Sequence, residues 1–128
     1  MTTRPTFQRR TVLAAAAASA ALPLAAWAQQ PPIRIGSTLA LTGPLSATAQ
    51  VHKLVGEIYV EDLNKRGGLL GRRVEWVLKD DQSKADLART LYEQLITSDK
   101  VDLLMGPYAT GGILSAMGVA QRYNKVLV

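Results

Sequence analysis

At 128 residues, with a formal charge of +5 and no cysteine, the chain has no disulfide framework, no thiolate nucleophile and no cysteine metal site. The charge is unevenly placed. Arg4, Arg9 and Arg10 stand near the start, and the last hundred residues carry twelve Lys plus Arg against ten Asp plus Glu. That near balance gives no case for nucleic acid as a partner, so stability and function must be sought in an ordinary apolar core and its loops.

The opening stretch reads as an export signal. Residues 11–28 are uncharged, ten of those eighteen are Ala, and the run closes on Ala26-Trp27-Ala28, a small-x-small cleavage pattern. Residues 1–28 are therefore expected to be removed and the mature protein to reside in the periplasm. A retained membrane anchor is the competing reading. Alanine is only mildly apolar, Pro23 interrupts the run, and Gln29-Gln30-Pro31-Pro32 follows where a basic stop signal would stand. Arg9-Arg10 suggests the twin-arginine route, although Gln8, Val12 and Ala14 depart from that signal and the general secretory route stays open. Without a Cys at the cleavage site, lipid anchoring is excluded.

From Ile33 the chain alternates between two periodicities. Ile33-Arg34-Ile35-Gly36-Ser37-Thr38-Leu39 has strand character, and the loop LTGPLSAT follows at residues 41–48. Val51, Leu54, Val55, Ile58 and Leu63 then recur near helical spacing, predicting a helix over residues 47–64 that buries this face. Lys65-Arg66-Gly67-Gly68 should end it. Val74, Trp76 and Leu78 alternate with mostly polar neighbours, as an edge strand does.

The loop DDQS at residues 80–83 comes next, with Ser83 the expected N-cap of a second helix and Asp86 approximating a capping box. Leu87, Ala88, Leu91, Tyr92, Leu95 and Ile96 form its apolar stripe. Val101-Asp102-Leu103-Leu104-Met105 reads as a strand buried on both faces. After the loop GPYATGG at residues 106–112, Ile113, Ala116, Met117, Ala120 and Tyr123 mark a third helix. Val126-Leu127-Val128 looks like the start of a fourth strand cut in its middle, so residues 29–128 read as part of a larger domain.

Strand and helix in alternation with short connections imply right-handed βαβ units: an α/β fold with a doubly wound, mostly parallel sheet. The three loops then line one edge of that sheet, where such folds bind ligands. GPYATGG is spaced like a phosphate loop but lacks the Lys and hydroxyl that should follow, and no GxGxxG follows the first strand. Asp80-Asp81 has no third acid to complete a magnesium site, so a structural role at the start of helix two is expected. His52 reads as a solvated surface residue. No triad or metal cage assembles, so no catalytic residue, cofactor or metal is expected.

The loops can still hold a small polar molecule. Backbone N–H groups at the start of helix three attract an anion such as a carboxylate. Thr110 adds a hydroxyl, Gly111 and Gly112 allow close backbone approach, and Tyr108 walls the site. Helix capping by Thr110, simple turn formation by the glycines and core packing by Tyr108 are the blander readings.

Taken together, IRIGSTLALTGPLSA, EDLNKRGGLLGRRVEWVLKDDQS and VDLLMGPYATGG resemble the amino-terminal part of type I periplasmic binding proteins, the leucine/isoleucine/valine-binding family of ABC importers. The resemblance implies the first half of one of two α/β lobes that close over a ligand. It implies a solute-binding component, not an enzyme, that delivers a small amino acid or related carboxylate or amide to membrane permease subunits. Carried over by position, ligand contacts fall on Tyr108, Ala109, Thr110 and Gly111, and on Thr42, Gly43, Pro44, Leu45 and Thr48. The chain departs from the family in two places: Thr48 stands where a cleft aromatic is common, and Gly56 comes one residue late. A ligand-sensing lobe of a receptor or amide regulator, and an exported α/β enzyme, remain the alternatives.

Overall fold

A computed structural model describes residues 30–128, and the export segment lies outside the described residues. The elements are β1 (Ile33–Leu39), α1 (Ser46–Lys65), β2 (Val74–Asp80), α2 (Ala85–Thr97), β3 (Leu103–Leu104) and α3 (Thr110–Arg122). The strands pair in parallel in the order β2-β1-β3, with Ile33 opposite Val74 and Leu39 opposite Asp80. Among the described residues β2 therefore lies at a sheet edge, as its alternation predicts. Past β3, Leu104 donates to the Val126 carbonyl at 3.1 Å and accepts from the Val128 N–H at 3.0 Å, so Val126-Leu127-Val128 runs alongside as a next parallel strand would. Among the described residues no helix is long and apolar enough to cross a membrane.

Strand alternation assigns the two faces of β1. Thr38 meets Tyr92 of α2 and Gly36 faces Leu95 and Val101, whereas Ser37 meets Trp76 on the opposite face, beneath α1. On the α2/α3 face the core is continuous: Tyr92, Leu95, Ile96, Val101, Leu104, Ala116, Val119 and Ala120 are all buried. Burying the side chains larger than alanine among these contributes roughly 1.5–3 kcal/mol each. α3 reaches this core through small residues, and its expected stripe shifts accordingly. Val119 is buried, while Met117 and Tyr123 are exposed.

The α1 face is different, and here two expectations fail. The stripe Val51, Leu54, Val55 and Ile58 is 56–61 % exposed rather than buried, and Ala49 is the buried residue of α1. An apolar stripe marks a surface that requires cover, but it does not say which element supplies the cover. α1 rests chiefly on β2, and toward β3 a cavity of about 390 Å³ opens between Leu39, Val55, Trp76 and Met105. For the same reason β3 is not buried on both sides. Leu104 is 1 % exposed, but Met105 faces the cavity at 39 %.

What seats α1 on β2 is a glycine. A Cβ on Gly56 would lie 2.4 Å from the Trp76 ring, and that ring is tethered by its indole N–H to Ser37 Oγ at 2.7 Å. The helix can lie this close only without a side chain at residue 56. Gly56→Ala should therefore destabilise the folded region by about 1–3 kcal/mol, read as a lower urea midpoint followed by Trp76 fluorescence. An unchanged midpoint would contradict this packing.

Candidate functional site

The loop after β1 is built by the residues after β2. The Thr42 hydroxyl donates to Asp80 Oδ2 at 2.7 Å, and the Thr42 and Gln82 N–H groups donate to Asp80 Oδ1 at 3.2 and 2.9 Å. Ser83 completes the link: its hydroxyl donates to the Thr42 carbonyl at 3.1 Å and accepts from the Leu45 N–H at 3.2 Å. Gly43 is required between them. Its φ is +87°, and a Cβ would stand 2.7 Å from the Gln82 carbonyl oxygen.

These contacts correct the expected role of DDQS. Ser83 is not the N-cap of α2, and no capping box with Asp86 forms. The N-cap is Lys84, with no side-chain bond, because the Ser83 hydroxyl is committed to the β1 loop. Asp81 is 5 % exposed and accepts from the Thr38 hydroxyl at 2.7 Å and the Ser83 N–H at 3.0 Å. The acid pair is structural, but it organises two loops rather than starting a helix. Gln82 and Ser83 both adopt left-handed backbone, φ 53° and 63°, at roughly 1–2 kcal/mol per residue, which the hydrogen bonds of Asp80, Asp81 and Ser83 must offset.

Tyr92 joins the neighbouring strand ends. Its hydroxyl donates to the Met105 carbonyl at 2.6 Å and accepts from the Thr38 N–H at 3.4 Å, and burial pushes its pKa up to about 12. From Met105 the chain turns through Gly106 and the buried Pro107 to Tyr108, which is half-buried. Ala109 is the N-cap of α3 and makes no side-chain cap bond. Thr110, read above as a possible cap, is instead the first helical residue, exposed beside the exposed Gly111. N–H groups in a first turn have no partner within the helix, so this end presents donors outward. Gly112 packs against Pro107, where a Cβ would meet the ring at 2.9 Å.

The sequence-derived residues thus fall into two groups. Tyr108, Ala109, Thr110 and Gly111 stand together at the start of α3. Thr42, Gly43 and Leu45 are held against Asp80, Gln82 and Ser83, while Pro44 and Thr48 are exposed on either side of the start of α1. Reading the sequence missed the link between the groups. His52 is exposed, as expected, yet its ring stacks on Tyr108 with centroids 5.2 Å apart, and its Nδ1 lies 2.9 Å from the Thr48 carbonyl oxygen. Asp80 was also missed as the anchor of the first loop. The TGP run pointed to a loop but not to its acceptor.

The fold is a parallel α/β unit with its loops gathered at the carboxyl ends of the strands, the edge at which open α/β sheets bind ligands. A periplasmic binding protein family model matches residues 32–128, and the chain belongs to that family, in the type I branch that includes the Leu/Ile/Val-binding proteins. This is a family of solute-binding proteins. The chain is 35% identical over 82 residues to the chemotactic signal transduction system substrate-binding protein BasB of Halobacterium salinarum, over 62% of this chain and 20% of that one. It is 30% identical over 96 residues to the Leu/Ile/Val-binding protein BraC3 of Rhizobium johnstonii, over 75% of this chain and 26% of BraC3. Among solved structures it resembles LivJ, a branched-chain amino acid transporter substrate-binding protein of Streptococcus pneumoniae in complex with isoleucine. The TM-score is 0.71 at 28% identity, covering 75% of this chain and 28% of LivJ. The chain therefore spans less than a third of each of these proteins.

The Asp80 anchor has a pH signature. Partial burial pushes its pKa up, but the bonds from the Thr42 hydroxyl and the N–H groups of Gln82, Thr42 and Leu41 outweigh burial and hold it below the ordinary aspartate value of 3.8. A depressed folded-state pKa contributes stability that is present above 3.8 and lost as pH falls through the lower folded value. Asp80→Asn should cost about 1 kcal/mol at neutral pH, given the group's partial exposure. The gap from wild type should close as urea unfolding is repeated down through pH 3.8; a gap that stays constant would show that the charge contributes nothing.

Proposed function

We propose that this chain forms part of the amino-terminal lobe of a solute-binding component of an ABC importer. It is exported to the periplasm, loses residues 1–28 on the way and works as a binder rather than as an enzyme. The observation that carries the reading is the start of α3. An uncapped helix end presents the Thr110 and Gly111 N–H groups beside the Tyr108 ring, on the loop where such a lobe meets its ligand. This end receives the carboxylate of a small amino acid or a related amide or acid. Tyr108 and Ala109 form the wall, the Thr110 hydroxyl adds a bond, and Gly111 allows close approach. Thr42, Gly43, Pro44 and Leu45 shape the facing loop, and Thr48 lies at the edge where α1 begins.

The names of BraC3 and LivJ support a branched-chain amino acid as ligand. Thr48, small and polar, leaves more room than an aromatic residue would and suits a bulkier or more polar side chain as well. Closure of a second lobe over the ligand turns binding into a shape change that permease subunits recognise. The name of BasB supports a second reading, in which the same closed form is presented to a signalling receptor.

Thermal unfolding of the complete protein against leucine, isoleucine, valine, amides and aromatic acids tests the ligand. A ligand at a hundred times its Kd should stabilise by about 2.7 kcal/mol. No shift with any amino acid would remove that assignment. Co-purification of the loaded protein with permease subunits or with a receptor separates the two readings.

A further inference from the structure

His52 is the single histidine of the chain and sits on the second turn of α1. Two independent contacts hold its ring. Nδ1 lies 2.9 Å from the Thr48 carbonyl oxygen, and because a carbonyl can only accept, this nitrogen carries the proton. The ring face lies nearly parallel to Tyr108, at an interplanar angle of 11° and a centroid separation of 5.2 Å. Both rings edge the cavity between α1 and the sheet, beside Leu39 and Met105.

We propose that His52 is a positioning residue for Tyr108: the hydrogen-bonded imidazole clamps the tyrosine ring and ties α1 to the loop after β3. Tyr108 follows a buried proline on a short loop, so its backbone is constrained, but its half-exposed ring would be free to change rotamer without a partner. The Thr48 bond fixes the imidazole first, and the stack then fixes the ring. The binding wall is set before a ligand arrives, and the ligand does not bear the entropy of ordering it. The consequence for affinity rests on the function proposed above, whereas the clamp itself does not.

Two measurements on the complete protein test it. His52→Ala should weaken binding of leucine, isoleucine or valine by roughly three- to tenfold, the range of one aromatic pair, and His52→Phe, which keeps a flat ring but loses the Thr48 bond, should recover part of it. Equal binding by wild type and His52→Ala, or no recovery with His52→Phe, overturns the proposal. Because no other histidine is present, the imidazole carbon-bound protons give unambiguous NMR signals. In the free protein Tyr108→Leu should move them downfield by removing the ring current. Unmoved signals overturn the clamp whether or not an amino acid binds. Moved signals in a protein that binds none of the three amino acids would uphold the clamp and reject the branched-chain ligand.

Discussion

The arrangement of the site depends on the hydrogen-bonded seam between the carboxyl ends of β1 and β2. Adjacent parallel strands bring Leu39 opposite Asp80, and the two loops that leave them run side by side. Asp80 takes the hydroxyl and N–H of Thr42, and Ser83 takes the Thr42 carbonyl and the Leu45 N–H, so the first loop has few free polar groups of its own. Loops of this kind are usually mobile because their backbone is solvated. Here it is bonded to a neighbouring turn whose left-handed residues are themselves held by carboxylates. The loop after β3 is held differently, by Tyr92 beneath and the His52 stack beside it.

The two faces of the sheet have unequal packing, and this bears on function. α2 and α3 close one face around Tyr92 and Leu95, which makes a rigid base for the loops. On the other face α1 lies close to β2 where Gly56 admits the Trp76 ring, and its apolar stripe faces open space toward β3. The seam, Tyr92 and the His52 contact hold the loops at the carboxyl ends of the strands without burying that edge.

Much of this was legible in the residues. The alternation of Val74, Trp76 and Leu78 marked an edge strand, the glycines after Arg66 marked the end of α1, and the motifs marked the family. Other features were not legible, because periodicity reports that a face is apolar and not what lies against it. Val51, Leu54 and Ile58 have the spacing of a buried stripe whether or not a neighbour is present. Ser83 has the chemistry of a helix cap, and it bonds instead to a loop 41 residues earlier in sequence, a partner no local pattern encodes.

The sequence by itself determined the order of strands and helices, the parallel α/β class, the absence of cysteine chemistry and the family, because these follow from composition, spacing and motifs that act locally along the chain. Only the tertiary structure decided what the polar residues do. It assigned Asp80 and Ser83 to the first loop, freed the start of α3 from a cap, and brought His52 onto Tyr108 across 56 residues of chain. Hydrogen bonds and ring stacks depend on distances of a few ångströms between segments that are remote in sequence, and only the packed fold sets those distances.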